Sequence, residues 1–170
     1  MYKRQEIGWV NWDISPEGES LMRFVQKLTQ ARRTYPILRR ERFLTGEYNE
    51  ELGIRDATWL TAGGEEMTPE HWSDGNAKSF GVVLDGRAQE TGIRRRGSDR
   101  TLYLILNAFH DVVQFTLPQV PGGEGWVRVL DTNQPDDQGS ASFDFDTVYD
   151  VTGRSVVMFE LVQGPDFNGG

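Results

Sequence analysis

Paired acidic residues are the first feature of this sequence whose spacing could support chemistry. Asp144 and Asp146 alternate in a strand-like run, so both carboxylates would point to one face of a strand. Hard cations such as Ca²⁺ bind clusters of carboxylate and loop oxygens. Further acidic pairs stand at 65–66 and 136–137. Because acidic residues are also ordinary in turns and at exposed sheet edges, we expect solvated carboxylates and predict no metal site and no cofactor.

The two histidines, His71 and His110, offer a second possibility for catalysis. They stand 39 positions apart, and neither belongs to a recognisable motif with a serine nucleophile. The chain has no cysteine that could act instead. Two isolated histidines do not make a metal site, which needs three or four ligands. We therefore predict no catalytic residue and expect His110 in the turn after a central strand.

An amphipathic helix precedes most of these residues. Ser15 is a typical N-cap, Pro16 suits the first helical position, and Pro36 disfavours a helical conformation at the residue before it. The sequence therefore predicts a helix from 16 to 34. Apolar residues follow the helical spacing within it, at Leu21, Phe24, Val25, Leu28 and Ala31.

Short β-prone runs fill most of the remaining chain. Leu102 to Leu106 is apolar on both faces, which predicts a central strand, and residues 68–72 read as a single helical turn. Repeated strands without long intervening helices favour a mainly β fold, an antiparallel β-sandwich preceded by one amphipathic α-helix. The predicted strands cover residues 57–60, 80–84, 101–107, 112–117, 126–131, 143–149 and 155–162.

Length and charge exclude several functions. A chain of 170 residues is one domain in size and too short for a (β/α)₈ barrel of about 250 residues. Its net charge of −8 should repel nucleic acids and anionic membranes. No run approaches the ~20 apolar residues that cross a bilayer, and the N-terminus lacks a signal-peptide core. With no cysteine, we expect a cytoplasmic protein.

Three groups of motifs follow one another in a distinctive order between about residues 5 and 162. The first is WVNWD at 9–13 with an arginine-rich helix end at 32–40; the second is DATWL at 56–60 with HW at 71–72 and the run to Gly86; the third is LNAFH at 106–110. This order resembles the C-terminal region of bacterial glycogen debranching enzymes, the isoamylase-like branch of the α-amylase superfamily. Tyr35 departs from that family, which usually has His before the proline.

The resemblance implies a non-catalytic part of a larger enzyme. The parent hydrolyses α-1,6-glucosidic branch points of glycogen with carboxylates roughly 5 Å apart on barrel strands that lie upstream of this region. None of those motifs occurs here, so we predict that the chain alone is inactive and that it stabilises the catalytic barrel. Residues 1–42 would be a remnant of the last barrel helix with its linker, 43–163 a sandwich of the α-amylase C-terminal-domain type, and 164–170 a disordered tail.

Tryptophans are the candidate sugar contacts. Sugar rings stack on exposed aromatic faces, which makes Trp59, Trp72 and Trp126 candidates for binding α-glucan. The competing expectation is a core position for each, since Trp59 lies within a strand and Trp72 would cover the sandwich from its helical turn. A free-standing glucan-binding module, centred on Trp72 and Trp59, is therefore the first alternative function.

The helix supplies a candidate protein interface. In an intact enzyme its apolar face would pack on the catalytic barrel, and without the barrel it would fold onto the sandwich, pair with a second copy or remain exposed. A helix-mediated interaction module, including a homodimer, is therefore the second alternative. The expected interface residues are Trp9, Trp12, Leu21, Phe24 and Leu28.

Overall fold

The computed structural model describes residues 12–39, 43–50, 53–88, 99–136 and 141–164. Trp9 and, apart from Gly164, the predicted disordered tail lie outside these residues. Helix α1 spans Pro16–Thr34, as predicted, and the Ser15 hydroxyl accepts a hydrogen bond from the Gly18 N–H at 3.2 Å. The helix ends at Tyr35, whose extended backbone leads into a short 3₁₀ turn at Pro36–Arg39.

Two sheets form a sandwich, which confirms the predicted fold class. The larger sheet has six strands, all paired antiparallel, in the order β3-β4-β5-β10-β7-β8, and the smaller pairs β6 with β9. A two-stranded ribbon (β1, β2) and a five-residue helix (α2) complete the fold. The bounds are β1 Tyr48–Asn49, β2 Ile54–Arg55, β3 Ala57–Leu60, α2 Pro69–Ser73, β4 Ser79–Asp85, β5 Thr101–Asn107, β6 Val113–Thr116, β7 Gly123–Asp131, β8 Ser142–Phe143, β9 Val148–Val151 and β10 Ser155–Gln163.

The six-stranded sheet is covered on both faces near its centre. Strand β5 lies between β4 and β10, and its side chains alternate between two apolar clusters, as predicted for a central strand. Tyr103 and Ile105 point inward to the smaller sheet, whereas Leu102 and Leu104 point outward to helix α1. The inner cluster consists of Leu60, Val83, Tyr103, Ile105, Phe115, Leu117, Val120, Trp126, Val151, Val157, Phe159 and Leu161.

The prediction of one continuous strand at 143–149 is wrong. The structure divides it into β8, which pairs with β7, and β9, which pairs with β6 in the other sheet. The chain turns between them, and Asp146 takes a positive φ of 62° while its N–H donates to the Leu117 carbonyl at 2.9 Å. Asp144 and Asp146 therefore do not share a strand face, because the chain must leave one sheet to enter the other.

Candidate interaction surface

Helix α1 lies against the outer face of the large sheet by one side only. Ala31 is buried and Phe24 partly buried there, against the cluster of Leu102, Leu130 and Met158. Neighbouring apolar side chains remain in solvent: Leu21 is 62% exposed, Val25 51% and Leu28 39%. Spacing of four and three places these three residues on one helical stripe, called here the α1 ridge.

Polar contacts fix both ends of α1 on the sheet. Near its start, the Ser20 hydroxyl donates to the Asp136 carboxylate at 3.1 Å, and Arg23 lies 3.5 Å from the same group. Just past its end, the Tyr35 hydroxyl donates to Glu160 on β10 at 2.6 Å. Burial, together with the neighbouring Glu160 carboxylate, raises the pKa of Tyr35 well above its usual range. Together with the burial of Ala31, these contacts orient α1 and its ridge relative to the sheet.

A second apolar surface lies at the β3 edge of the same sheet. Trp59, Trp72 and Phe80 form an aromatic group, the Trp cluster, with ring centroids 5.4 to 6.3 Å apart. Trp72 is 53% exposed and Trp59 40% exposed, so both keep a solvent-facing surface. Edge-to-face packing orients the rings against one another and limits their freedom. The cluster is therefore a preformed apolar surface.

The Trp cluster borders a cleft of about 400 Å³ with polar groups at its rim. Arg55 and Glu66 line the cleft and form a half-exposed ion pair at 3.5 Å. Residues Thr45 and Gly46 form another part of the wall, where their backbone N–H groups donate to the buried Asp56 carboxylate at 2.9 and 2.7 Å. An aromatic surface beside charged donors and acceptors can hold a flat, hydroxyl-rich molecule.

Helix α2 presents Trp72 to this cleft. Thr68 is its N-cap and Pro69 its first residue, as predicted, and the His71 Nδ1 accepts a hydrogen bond from the Thr68 N–H at 3.1 Å. His71 thus has a structural role in capping. His110 lies in the bend after β5, as predicted, with its ring 4.1 Å from that of Phe109.

Trp126 has a different position from the other two candidate tryptophans. It is fully buried between the sheets, and its indole N–H donates to the Pro118 carbonyl at 2.8 Å. No sugar can reach it in the folded state. Of the predicted interface residues, Trp12 is 81% exposed, whereas Phe24 faces the chain's own sheet and Trp9 lies outside the described residues.

A second cleft, of about 460 Å³, opens on the inner side of β3 and β4. Its carboxylates already have partners: Asp85 is ion-paired with the fully buried Arg87 at 2.6 Å, and Asp146 accepts from the Gln119 amide at 2.6 Å. Within the described ranges, no three acidic or histidine side chains come together as a metal site would need. No described helix is long and apolar enough to span a membrane.

Several residues of these surfaces were not predicted as site residues. Phe80 joins the Trp cluster through strand pairing, and Asp136 holds α1 from a loop more than a hundred positions away. Local sequence carries no signal for either contact. Val25 could have been found, because its spacing from Leu21 and Leu28 places it on the same stripe.

Comparison with known families gives a match over most of the sandwich. The family described as "Isoamylase, C-terminal" matches residues 56–160, more than half of the chain. A solved structure, a pullulanase complexed with maltotetraose from Anoxybacillus sp. LM18-11, superimposes on 93% of this chain and 18% of its own with a TM-score of 0.53. At 14% sequence identity, that likeness supports the fold alone.

Curated relatives agree with the family match. The "Glycogen operon protein GlgX homolog" of Mycobacterium tuberculosis is 34% identical over 133 residues, which cover 76% of this chain and 18% of the relative. The isoamylase of Pseudomonas amyloderamosa is 24% identical over 135 residues, which cover 79% of this chain and 15% of the relative. The chain thus spans less than a fifth of the length of these relatives. The resemblance to the C-terminal region of bacterial glycogen debranching enzymes is confirmed, and the chain belongs to the isoamylase C-terminal family.

Proposed function

We propose that this chain is the non-catalytic C-terminal domain of a glycogen debranching enzyme and that it stabilises the catalytic barrel. The exposed α1 ridge carries the proposal. Leu21, Val25 and Leu28 are aligned on a helix that the sheet and two polar contacts hold in place. A fixed apolar stripe of this kind is typical of a surface that another domain covers.

The lengths of the relatives support the same role. More than four-fifths of the GlgX homolog of Mycobacterium tuberculosis lies outside the matched segment. A domain of the isoamylase C-terminal family therefore works beside a much larger body of chain in that relative. Helix α1 precedes the matched residues 56–160, so it is the element nearest to the rest of such a chain. The cytoplasmic location expected from the sequence stays a prediction.

A chimera tests this proposal. The matched C-terminal segment of the GlgX homolog is replaced by this chain, and adjacent α1 residues are then changed separately, Val25→Asp on the ridge and Gln26→Asp as the control. A charge on a covered apolar surface is costly, so we expect Val25→Asp to lower the melting temperature of the chimera and its debranching rate, with Gln26→Asp close to the parent chimera. Equal effects of the two changes would count against docking through the ridge.

The isolated chain should have no hydrolytic activity towards glycogen. Incubated with glycogen, it is expected to release no reducing ends above the uncatalysed background, because hydrolysis needs a pair of positioned carboxylates from the barrel. Enzymatic release that persists after repurification would refute the non-catalytic assignment.

Glucan binding is the second candidate function, and the cleft beside the Trp cluster favours it. Two half-exposed indoles stand next to the Arg55–Glu66 pair, an arrangement that suits a sugar ring. Affinity electrophoresis in glycogen gels separates the two functions. Retardation that is lost in Trp72→Ala but kept in Tyr48→Ala, an exposed aromatic of the other cleft, would support binding. Unretarded migration of the unaltered chain would exclude it.

A further inference from the structure

The outer face of the large sheet is only partly covered by α1. Cross-strand pairing places Trp59, Val82, Leu104, Met158 and Leu130 in one row across β3, β4, β5, β10 and β7. Helix α1 covers the end of this row that contains Met158 and Leu130. Towards the other end, Val82 is buried, Leu104 packs against the α1 cluster but is only partly buried, and Trp59 is exposed. In the next row, paired Phe80 and Leu106 are also partly exposed.

The α1 ridge faces the part of the sheet where Phe80, Leu104 and Leu106 are only partly buried. Helix α1 runs along β10, since its first half contacts Asp136 beyond the end of β7 and Tyr35 contacts Glu160 within β10. At 100° per residue, the Asp136 contacts of Ser20 and Arg23 lie on one flank of the helix and the ridge lies on the other. The Asp136 flank points towards β7, so the ridge points towards β4 and β3.

These surfaces together form a trough. One wall is the α1 ridge, the floor is the outer face of β4 and β5, and the far wall is the Trp cluster. Three strand spacings separate Met158 from Trp59, about 14 Å. Packed helices lie 8–10 Å apart, axis to axis, so the trough has about the width of one further helix beside α1.

We propose that one amphipathic helix of the catalytic domain lies in this trough, parallel or antiparallel to α1, and contacts the Trp cluster as well as the ridge. This proposal rests on the proposed function, since it names the partner element that the ridge meets. A second helix would complete the helical layer over the sheet, the usual way in which an apolar sheet face is covered. The source of such a helix would be the part of the chain that lies outside the matched segment in the relatives.

Cysteine labelling can map the contact because the chain has no cysteine of its own. Single variants are made in the free chain and in the chimera described above: Val25→Cys on the ridge, Trp72→Cys on the far wall and Leu106→Cys on the floor. Val148→Cys on the smaller sheet is the exposed control, and Val157→Cys in the inner core reports folding. Maleimide reaction at each site is followed by peptide mass spectrometry.

We expect the ridge, the far wall and the floor to react about tenfold more slowly in the chimera than in the free chain, with Val148→Cys unchanged. If only Val25→Cys were protected, the proposal of a helix in the trough would be wrong, whereas docking of the catalytic barrel on the ridge would still be supported. No protection at any of the three sites would overturn both. A further variant, Met67→Cys in the wall of the cleft beside the Trp cluster, keeps both indoles. Its protection by maltoheptaose in the free chain, with no protection of Trp72→Cys in the chimera, would assign the Trp cluster to carbohydrate instead.

Discussion

Tyr103 illustrates how a single residue constrains this fold. Its ring lies between the sheets, and the described part of the chain offers its buried hydroxyl no hydrogen-bond partner. Burial raises the pKa of this hydroxyl well above its usual range. The ring passes directly over Gly81 on the neighbouring strand, where a Cβ atom would lie 2.8 Å from the ring Cζ. Glycine is therefore required at 81 for reasons of space, since its φ is not in the left-handed region.

Two substitutions should distinguish the contribution of the Tyr103 ring to stability from that of its hydroxyl. Tyr103→Phe removes a polar group that has no hydrogen-bond partner among the described residues, so we expect unchanged stability or a gain of up to about 1 kcal/mol. Gly81→Ala crowds the ring and should lower stability by about 1–3 kcal/mol. Urea unfolding followed by tryptophan fluorescence measures both. A loss above about 1 kcal/mol in Tyr103→Phe would reveal a partner for the hydroxyl.

At the scale of the element, α1 shows how one helix serves two surfaces. Its buried side is narrow, and Ala31 is the only residue of the helix that is buried. Polar contacts at Asp136 and Glu160 supplement this limited apolar burial. Arg100 lies 2.6 Å from the other oxygen of Glu160 and completes the contact at the C-terminal end. The orientation of the helix thus depends on polar groups that sit outside it.

Alkaline pH should weaken the Tyr35 contact. Burial and Glu160 raise the pKa of Tyr35 in the folded state above the value near 10 of an exposed tyrosine. A raised folded pKa means that the stabilisation is complete below pH 10 and is lost as the pH rises towards the folded pKa. Burial acts in the same direction on Tyr149.

Melting curves from about pH 8 to about pH 11 test this dependence. At the lower pH, Tyr35→Phe should be less stable by about 1.5 kcal/mol, because it loses a hydrogen bond to a charged group. Above pH 10 the difference in stability between the unaltered chain and Tyr35→Phe should shrink. Only the unaltered chain has an ionisable group at residue 35, so only it loses stability from that position as the pH rises. A difference that stays constant across the range would rule out titration of Tyr35 as its source.

For the whole molecule, the question is what covers the apolar side of the sheet. The chain carries a net charge of −8, which opposes close approach of two copies. Helix α1, however, favours association of two copies. Its first turn is acidic and its last turn is basic, so an antiparallel pair of these helices would bring unlike charges together. The ridge is therefore the surface through which the isolated chain would associate.

Self-association is the outcome we expect for the isolated chain at high concentration. Light scattering should report a mass that rises with concentration towards that of a dimer, and Leu21→Glu on the ridge should restore the monomer. Gln26→Glu, off the ridge, should leave the association unchanged. A strictly monomeric unaltered chain would show that the ridge does not recruit a second copy. That result would not bear on docking to the catalytic barrel, which the chimera experiment tests separately.

The accuracy of the sequence predictions differs between local and long-range features. The helix bounds were predicted correctly because Ser15, Pro16 and Pro36 act on backbone groups within a few residues. The central strand was correct because its unbroken apolar run needs cover on both faces. The strand at 143–149 was wrong, since its division depends on pairing with β7 and β6, far apart in sequence.

The sequence alone determined the fold class, the family, the helix and the aromatic residues available for an interface. Tertiary structure decided which of them reach solvent. It buried Trp126 between the sheets, left Trp59 and Trp72 half-exposed, and turned Phe24 inward while Leu21 remained outside. The physical reason is that capping and alternation act over a few residues, whereas exposure depends on strand register and on ties such as Asp136 to Ser20, which join distant parts of the chain.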